Sequence, residues 1–149
     1  MRAINHAMTG AIIGLSITAP IALPLAFVSH FAMDAVPHHD NPNLSRKKFT
    51  QFLALDICLC IALVIVLFII QPKYWFLAIL CAALATSPDI MWFKPFITHA
   101  SSKPKPLHKR SILVRFHTKV QWYQEPIGII SEIIWGIITF VVLFYLLRS

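Results

Sequence analysis

The chain predicts an all-α fold: a polytopic integral-membrane bundle of about five membrane helices. Three observations lead there. The 149 residues are 58% hydrophobic and only 13% charged, whereas soluble domains carry about 25% charged residues. Three nearly unbroken apolar runs cover 52–70, 74–93 and 127–147, each close to the ~20 residues that cross ~30 Å of hydrocarbon. The cationic residues also collect in particular loops, as the positive-inside rule requires of a membrane protein.

The whole chain, 1–149, reads as one membrane domain. Residues 5–36 are apolar but interrupted by Pro20 and Pro24, and a residue before proline resists helix. Two arrangements remain open: one kinked span, or two short helices near 5–18 and 21–36 forming an N-terminal hairpin. A polar loop follows at 37–50. The stretch 51–93 reads as a two-span hairpin turned by Gln71-Pro72-Lys73. A basic interfacial loop covers 94–124, and 125–148 holds the last span. Trp75, Trp92 and Trp122 lie near expected span ends, where interfacial aromatics belong. Arg2 with the apolar stretch 7–19 imitates a signal peptide. His6, Thr9, Gly10 and Gly14 inside it, and apolar character continuing past Pro24, lead us to expect a retained segment. Cys58, Cys60 and Cys81 sit within apolar runs and suggest neither disulfides nor a zinc thiolate cluster.

Charge placement orients the bundle. With an N-terminal hairpin, Arg2, Arg46, Lys47, Lys48, Lys94, Lys103, Lys105, Lys109, Arg110, Arg115 and Lys119 share one side, leaving Lys73 and Arg148 on the other. The crowded side is then cytoplasmic. A single kinked span would move only Arg2. The hairpin also brings His6, His30, Asp34, His38, Asp89 and His117 to that same end, with Asp56 and Glu132 deeper. Ionisable groups at membrane depth are costly unless paired or coordinated.

The chemistry centres on His30 and Asp34. Four residues apart, they share a helix face. An imidazole beside a carboxylate is half of a metal site or a structural hydrogen-bonded pair, and spacing alone allows both. Asp89 follows Pro88 at the end of another run, and Pro88 would kink the chain there. His6 opens the first helix. Gly10 and Gly14 behind it would let a neighbouring helix approach closely. His117 precedes the last span and would share a helical face with Gln121 and Gln124. Taken one by one, each has a plainer reading as an interfacial or helix-anchoring residue, and His99 and His108 read as solvated. Together they form a histidine and aspartate set suited to a divalent metal, zinc or manganese.

The order His6-Ala-Met-Thr9-Gly10, then Ser29-His30-Phe-Ala-Met-Asp34-Ala-Val-Pro37-His38, resembles a family of bacterial inner-membrane proteins. These are described as membrane-bound metal-dependent hydrolases, including the LexA-binding inner-membrane-associated type. The family is similar at a distance to zinc-dependent phospholipase C and nuclease P1. The resemblance covers about 5–40, with a weaker echo at Pro88-Asp89, and implies His6, His30, Asp34 and Asp89 as metal ligands. It also implies a multi-pass protein of the bacterial cytoplasmic membrane. Two departures stand out. Pro88-Asp89-Ile90-Met91 lacks the family's second acid, and no His-Arg-Gly-x-Thr-His-Ser segment is present. One metal rather than two is therefore expected.

Two functions follow. In one, a single metal at the cytoplasmic interface serves hydrolysis of a phosphoester, with phospholipid as the apolar choice and a carboxylate or His38 receiving the proton. In the other, the protein is no enzyme: the polar set holds the bundle together and the basic loop binds anionic lipid headgroups or a cytoplasmic partner. An ion transporter would need polar residues deeper in the spans. Loop charge alone does not support nucleic-acid binding.

Overall fold

The computed structural model describes residues 1–39, 46–90, 111–121 and 128–148. These are helical: α1 (Ala3–Ser16), α2 (Ala19–Asp34), α3 (Arg46–Ile70), α4 (Trp75–Thr86), a 3-10 turn (Ser87–Asp89), α5 (Ile112–Val120) and α6 (Gly128–Leu146). Two helices are long and apolar enough to cross a membrane, Thr50–Ile70 within α3 and all of α6. A soluble core helix of that kind would be mostly buried, yet only 17% of each window is buried here. Ile65, Ile69, Ile133 and Ile137 point outward. The helices α1, α2 and α4 are shorter, at 14, 16 and 12 residues.

The 5–36 region is two helices, not one kinked span. Pro20 stands at the start of α2, where its missing N–H costs nothing. Pro24 lies inside α2, and the helix continues through it. The two helices run antiparallel, since the first turns of α1 meet the last turn of α2: His6 Nε2 lies 3.2 Å from Asp34 Oδ1.

Helix α1 is the hub, packing against α2, α3, α4 and α6. Its small residues make this feasible. A Cβ on Gly10 would run into the Cys81–Ala82 backbone, and one on Gly14 into the Leu77–Ala78 backbone. The facing residues Ala78, Ala82 and Ala85 of α4 are equally small and buried. Such pairs let backbones touch and gain close-range dispersion, the main attraction between helices where both faces are apolar. Ala22 and Ala26 of α2 close on Cys81 in the same manner.

Three expected boundaries shift. The second apolar run, read as a span over 74–93, is a helix only to Thr86. Pro88 then tightens the chain into a 3-10 turn, and the Thr86 and Ser87 hydroxyls donate to the Ala82, Ala83 and Leu84 carbonyls. Helix α3 begins at Arg46, inside the expected loop 37–50. The expected basic loop 94–124 contains α5, capped by the Ser111 hydroxyl, which accepts from Val114 N. Trp92, His99, His108, Trp122 and Gln124 fall outside the described residues, as does the stretch 40–45.

Candidate metal centre

Four elements converge on Asp34 and its histidine partners. Asp34 ends α2 and is buried. His117 from α5 places Nε2 2.8 Å from Asp34 Oδ2, and Gln121 donates to the same oxygen at 3.0 Å. His30, one turn earlier on α2, has Nε2 3.3 Å from Oδ2. On the other oxygen, Oδ1, the Met1 nitrogen lies at 2.7 Å and His6 Nε2 at 3.2 Å. Asp89, carried in by the 3-10 turn, has Oδ1 3.7 Å from His30 Nε2 and 3.9 Å from His117 Nε2.

Among the described residues, His30, Asp34, Asp89 and His117 bring ligand atoms close enough together that they could hold a metal ion. One ligand atom from each lies within 4.8 Å of the others. Donors at 2.0–2.2 Å from a tetrahedral ion sit roughly 3.4 Å apart, so the Asp89 contacts would draw in and the 2.8 Å His117–Asp34 contact would widen around an ion. His6 contacts Asp34 and stacks on His30 with ring centroids 4.2 Å apart, but it is not one of the four. His38 is buried with Nδ1 bonded to the Val36 carbonyl and also stands outside the group.

The histidine chemistry favours coordination. His30 Nδ1 lies 2.8 Å from the Ala85 carbonyl. A carbonyl only accepts, so Nδ1 carries a hydrogen, and Nε2 is the ring nitrogen turned toward the cluster. This outer hydrogen bond fixes ring orientation, the role such bonds play behind metal-bound histidines. His117 Nε2 stands 3.3 Å from His30 Nε2, so two imidazole nitrogens and two carboxylates face one another. His6 is fully buried; its Nε2 faces Asp34 Oδ1, while its Nδ1 lacks a hydrogen-bond partner among the described residues.

Asp89 is 33% exposed while the other three are buried, so the group opens to the outside on its side. Beside the Met1 end lies a cavity of about 210 Å³, walled by Thr9 of α1, Ala32 and Met33 of α2, and Trp135 of α6.

Local sequence positions these groups. The start of α1 has no side-chain cap of its own; Asp56 of α3 accepts from Ala3 N at 3.0 Å instead. Asn5 donates to the Glu132 carbonyl at 3.1 Å, and Arg2 Nε lies 3.7 Å from Glu132 Oε2. These ties to α3 and α6 hold His6 at the level of Asp34. The chain after α2 is pinned to α6, where Ser131 donates to the Pro37 carbonyl. Gly128 lets the His38 backbone pass, because a Cβ there would overlap it.

Sequence reasoning missed the Met1 nitrogen and the Ala85 carbonyl. A backbone acceptor leaves no mark in a sequence. Gln121 was placed on the His117 face without a role, and its spacing of four from His117 was the available signal. No protein-family model, curated protein or solved structure matches the chain, so the geometry of this centre carries the functional argument.

Proposed function

We propose that the protein is a multi-pass membrane hydrolase of the bacterial cytoplasmic membrane, dependent on one divalent metal, zinc or manganese. His30, Asp34, Asp89 and His117 hold the ion, with His6 supporting Asp34, and the site lies at the cytoplasmic end of the bundle. The observation that carries this is the orientation of His30: its Nδ1–H is taken by the Ala85 carbonyl, which turns Nε2 toward two carboxylates and a second imidazole. The resemblance to membrane-bound metal-dependent hydrolases supports the same reading.

With one coordination position left open, a divalent ion held there would supply Lewis-acid chemistry, lowering the pKa of water and polarising a phosphoryl oxygen. Asp34 and the two histidines hold the buried side of the site. Asp89, the exposed member of the group, would in this reading accept the water's proton through the carboxylate oxygen that does not hold the ion. In this reading the cavity walled by Ala32, Met33 and Trp135 would receive the apolar part of a phosphoester such as a phospholipid. At about 210 Å³ it is smaller than the ~300–1,000 Å³ of whole-ligand pockets, so it suits an acyl portion rather than an entire molecule.

One observation favours a second reading, a non-enzymatic helix tie. Asp34 already receives Gln121 Nε2 and lies within hydrogen-bond distance of His117 Nε2 and the Met1 nitrogen. Metal analysis of washed, detergent-purified protein separates the two. The hydrolase reading expects one equivalent of metal and metal-dependent phosphoester hydrolysis, both lost in a folded Asp34→Asn protein. Wild-type protein that retains no divalent metal after reconstitution overturns it and leaves the helix tie.

A further inference from the structure

Helix α5 has two faces that do different things. Inward, His117 is buried against Asp34. Outward, Ile112, Arg115, Phe116 and Lys119 occupy one stripe of about 100° at helical spacing. All four are exposed, Ile112 by 85% and Phe116 by 51% even with its ring edge on Phe31. Two large apolar side chains interleaved with two cations, and no acid in the helix, form the composition of a helix lying in a membrane interface. Such cations extend to the headgroups while their stems cover apolar surface.

The position of α5 fits that occupant. Both helices long enough to span begin at the end of the bundle where the site lies. Asp56, in the first two turns of the Thr50–Ile70 window, reaches Ala3, and Gly128 and Ser131, in the first turn of α6, pack on His38 and Pro37. A bilayer around those spans therefore has its surface beside α5. Lys47, at the start of α3, is exposed and adds positive charge at the same level.

We propose that the outer face of α5 binds an anionic lipid headgroup layer, and that seating it there holds His117 in the metal centre. The second half rests on the metal reading; the first does not. The ties of α5 to α2 include Phe116 and His117 against Phe31, and His117 and Gln121 to Asp34, and His117 also faces Asp89 of the 3-10 turn. A ligand for the outer face and a ligand for the inner face then favour the same docked position, and such coupling is reciprocal.

The test uses full-length protein with Cys58, Cys60 and Cys81 changed to alanine and a spin label on Ile112→Cys. It is placed in nanodiscs of phosphatidylcholine alone or with phosphatidylglycerol added. Each basic residue near an anionic surface strengthens binding about fivefold, so two give about 30-fold. The label is expected to enter lipid in the anionic discs and stay in water in the neutral ones, with Arg115→Glu/Lys119→Glu erasing the difference. Equal water access in both discs, or a difference that survives charge reversal, overturns the proposal. For the coupling, zinc affinity is compared between the parent and the charge-reversed protein in the same anionic discs, which cancels zinc enrichment at the surface. Tighter zinc binding by the parent supports the coupling, and equal affinity overturns it. A lipid response of the label in a protein that binds no zinc supports the lipid face and overturns the metal reading instead.

Discussion

Asp34 is the residue on which the site turns, because its two oxygens collect contacts from α1, α2 and α5. Asp34→Asn keeps the shape but removes the charge and one acceptor. Zinc affinity is expected to fall by more than about 100-fold, beyond the 10–100-fold typical of outer-shell losses, with circular dichroism unchanged. Gln121→Ala removes only a hydrogen bond that orients Asp34, so the expected loss is about 10-fold, read by the same competition titration. His6 offers a sharper contrast. Its buried Nδ1 has no hydrogen-bond partner among the described residues, so His6→Phe, which keeps an aromatic of similar shape, removes that desolvation cost while giving up the Nε2 contact with Asp34. Thermal stability in detergent is expected to hold or rise while zinc affinity falls. Stability that collapses in His6→Phe would show that the imidazole is structural.

Between helices, contact is set by glycine and alanine. Gly10→Ala places a methyl group into the Cys81–Ala82 backbone, which is not a flexible side chain that can swing aside. Overpacking of this kind costs about 1–3 kcal/mol. The same shift moves the Ala85 carbonyl from His30 Nδ1, so metal affinity is expected to fall together with the melting temperature. A variant that melts lower yet binds zinc as tightly as the parent would separate α4 from the site. The approach of a neighbour to Gly10 and Gly14 was legible, because spacing of four on a helix presents both glycines to one partner. The length of α4 was not. Apolar character persists over 74–93, but hydropathy measures compatibility with lipid, not continuity of backbone hydrogen bonds. Pro88 and the Thr86 and Ser87 hydroxyls end the α-helix. His30 and Asp34 were legible as a pair because one helix carries both. That His117, 83 positions from Asp34, reaches the same oxygen depends on how α5 docks, which no local pattern encodes.

At the scale of the molecule, the polar groups gather at one end. Asp34, His117, Asp56 and Glu132 all lie near the start of α1 or its contacts, whereas Leu63, Leu67 and Leu143 fill the interior toward the other end. Helix α3 leaves the polar end near Arg46, and the chain turns at 71–74, where Gln71 and Tyr74 adopt positive φ. Helix α4 brings it back to Ala85 and Asp89, and α6 departs again from Gly128. This path puts Lys73 and Arg148 at the end opposite the site and Lys47, Arg115 and Lys119 at the site end. Positive charge is retained on the cytoplasmic side, so the site end is expected to face the cytoplasm. Single cysteines at Lys47 and Lys73, in protein lacking its native cysteines, report this directly in intact cells. An impermeant maleimide added outside is expected to label Lys73→Cys and spare Lys47→Cys until the membrane is opened. Labelling of Lys47→Cys from outside would reverse the orientation and place the metal centre away from the cytoplasm. Labelling of neither before opening, with both labelled after, would mean that the turn at 71–74 does not reach the far surface and that α3 does not span.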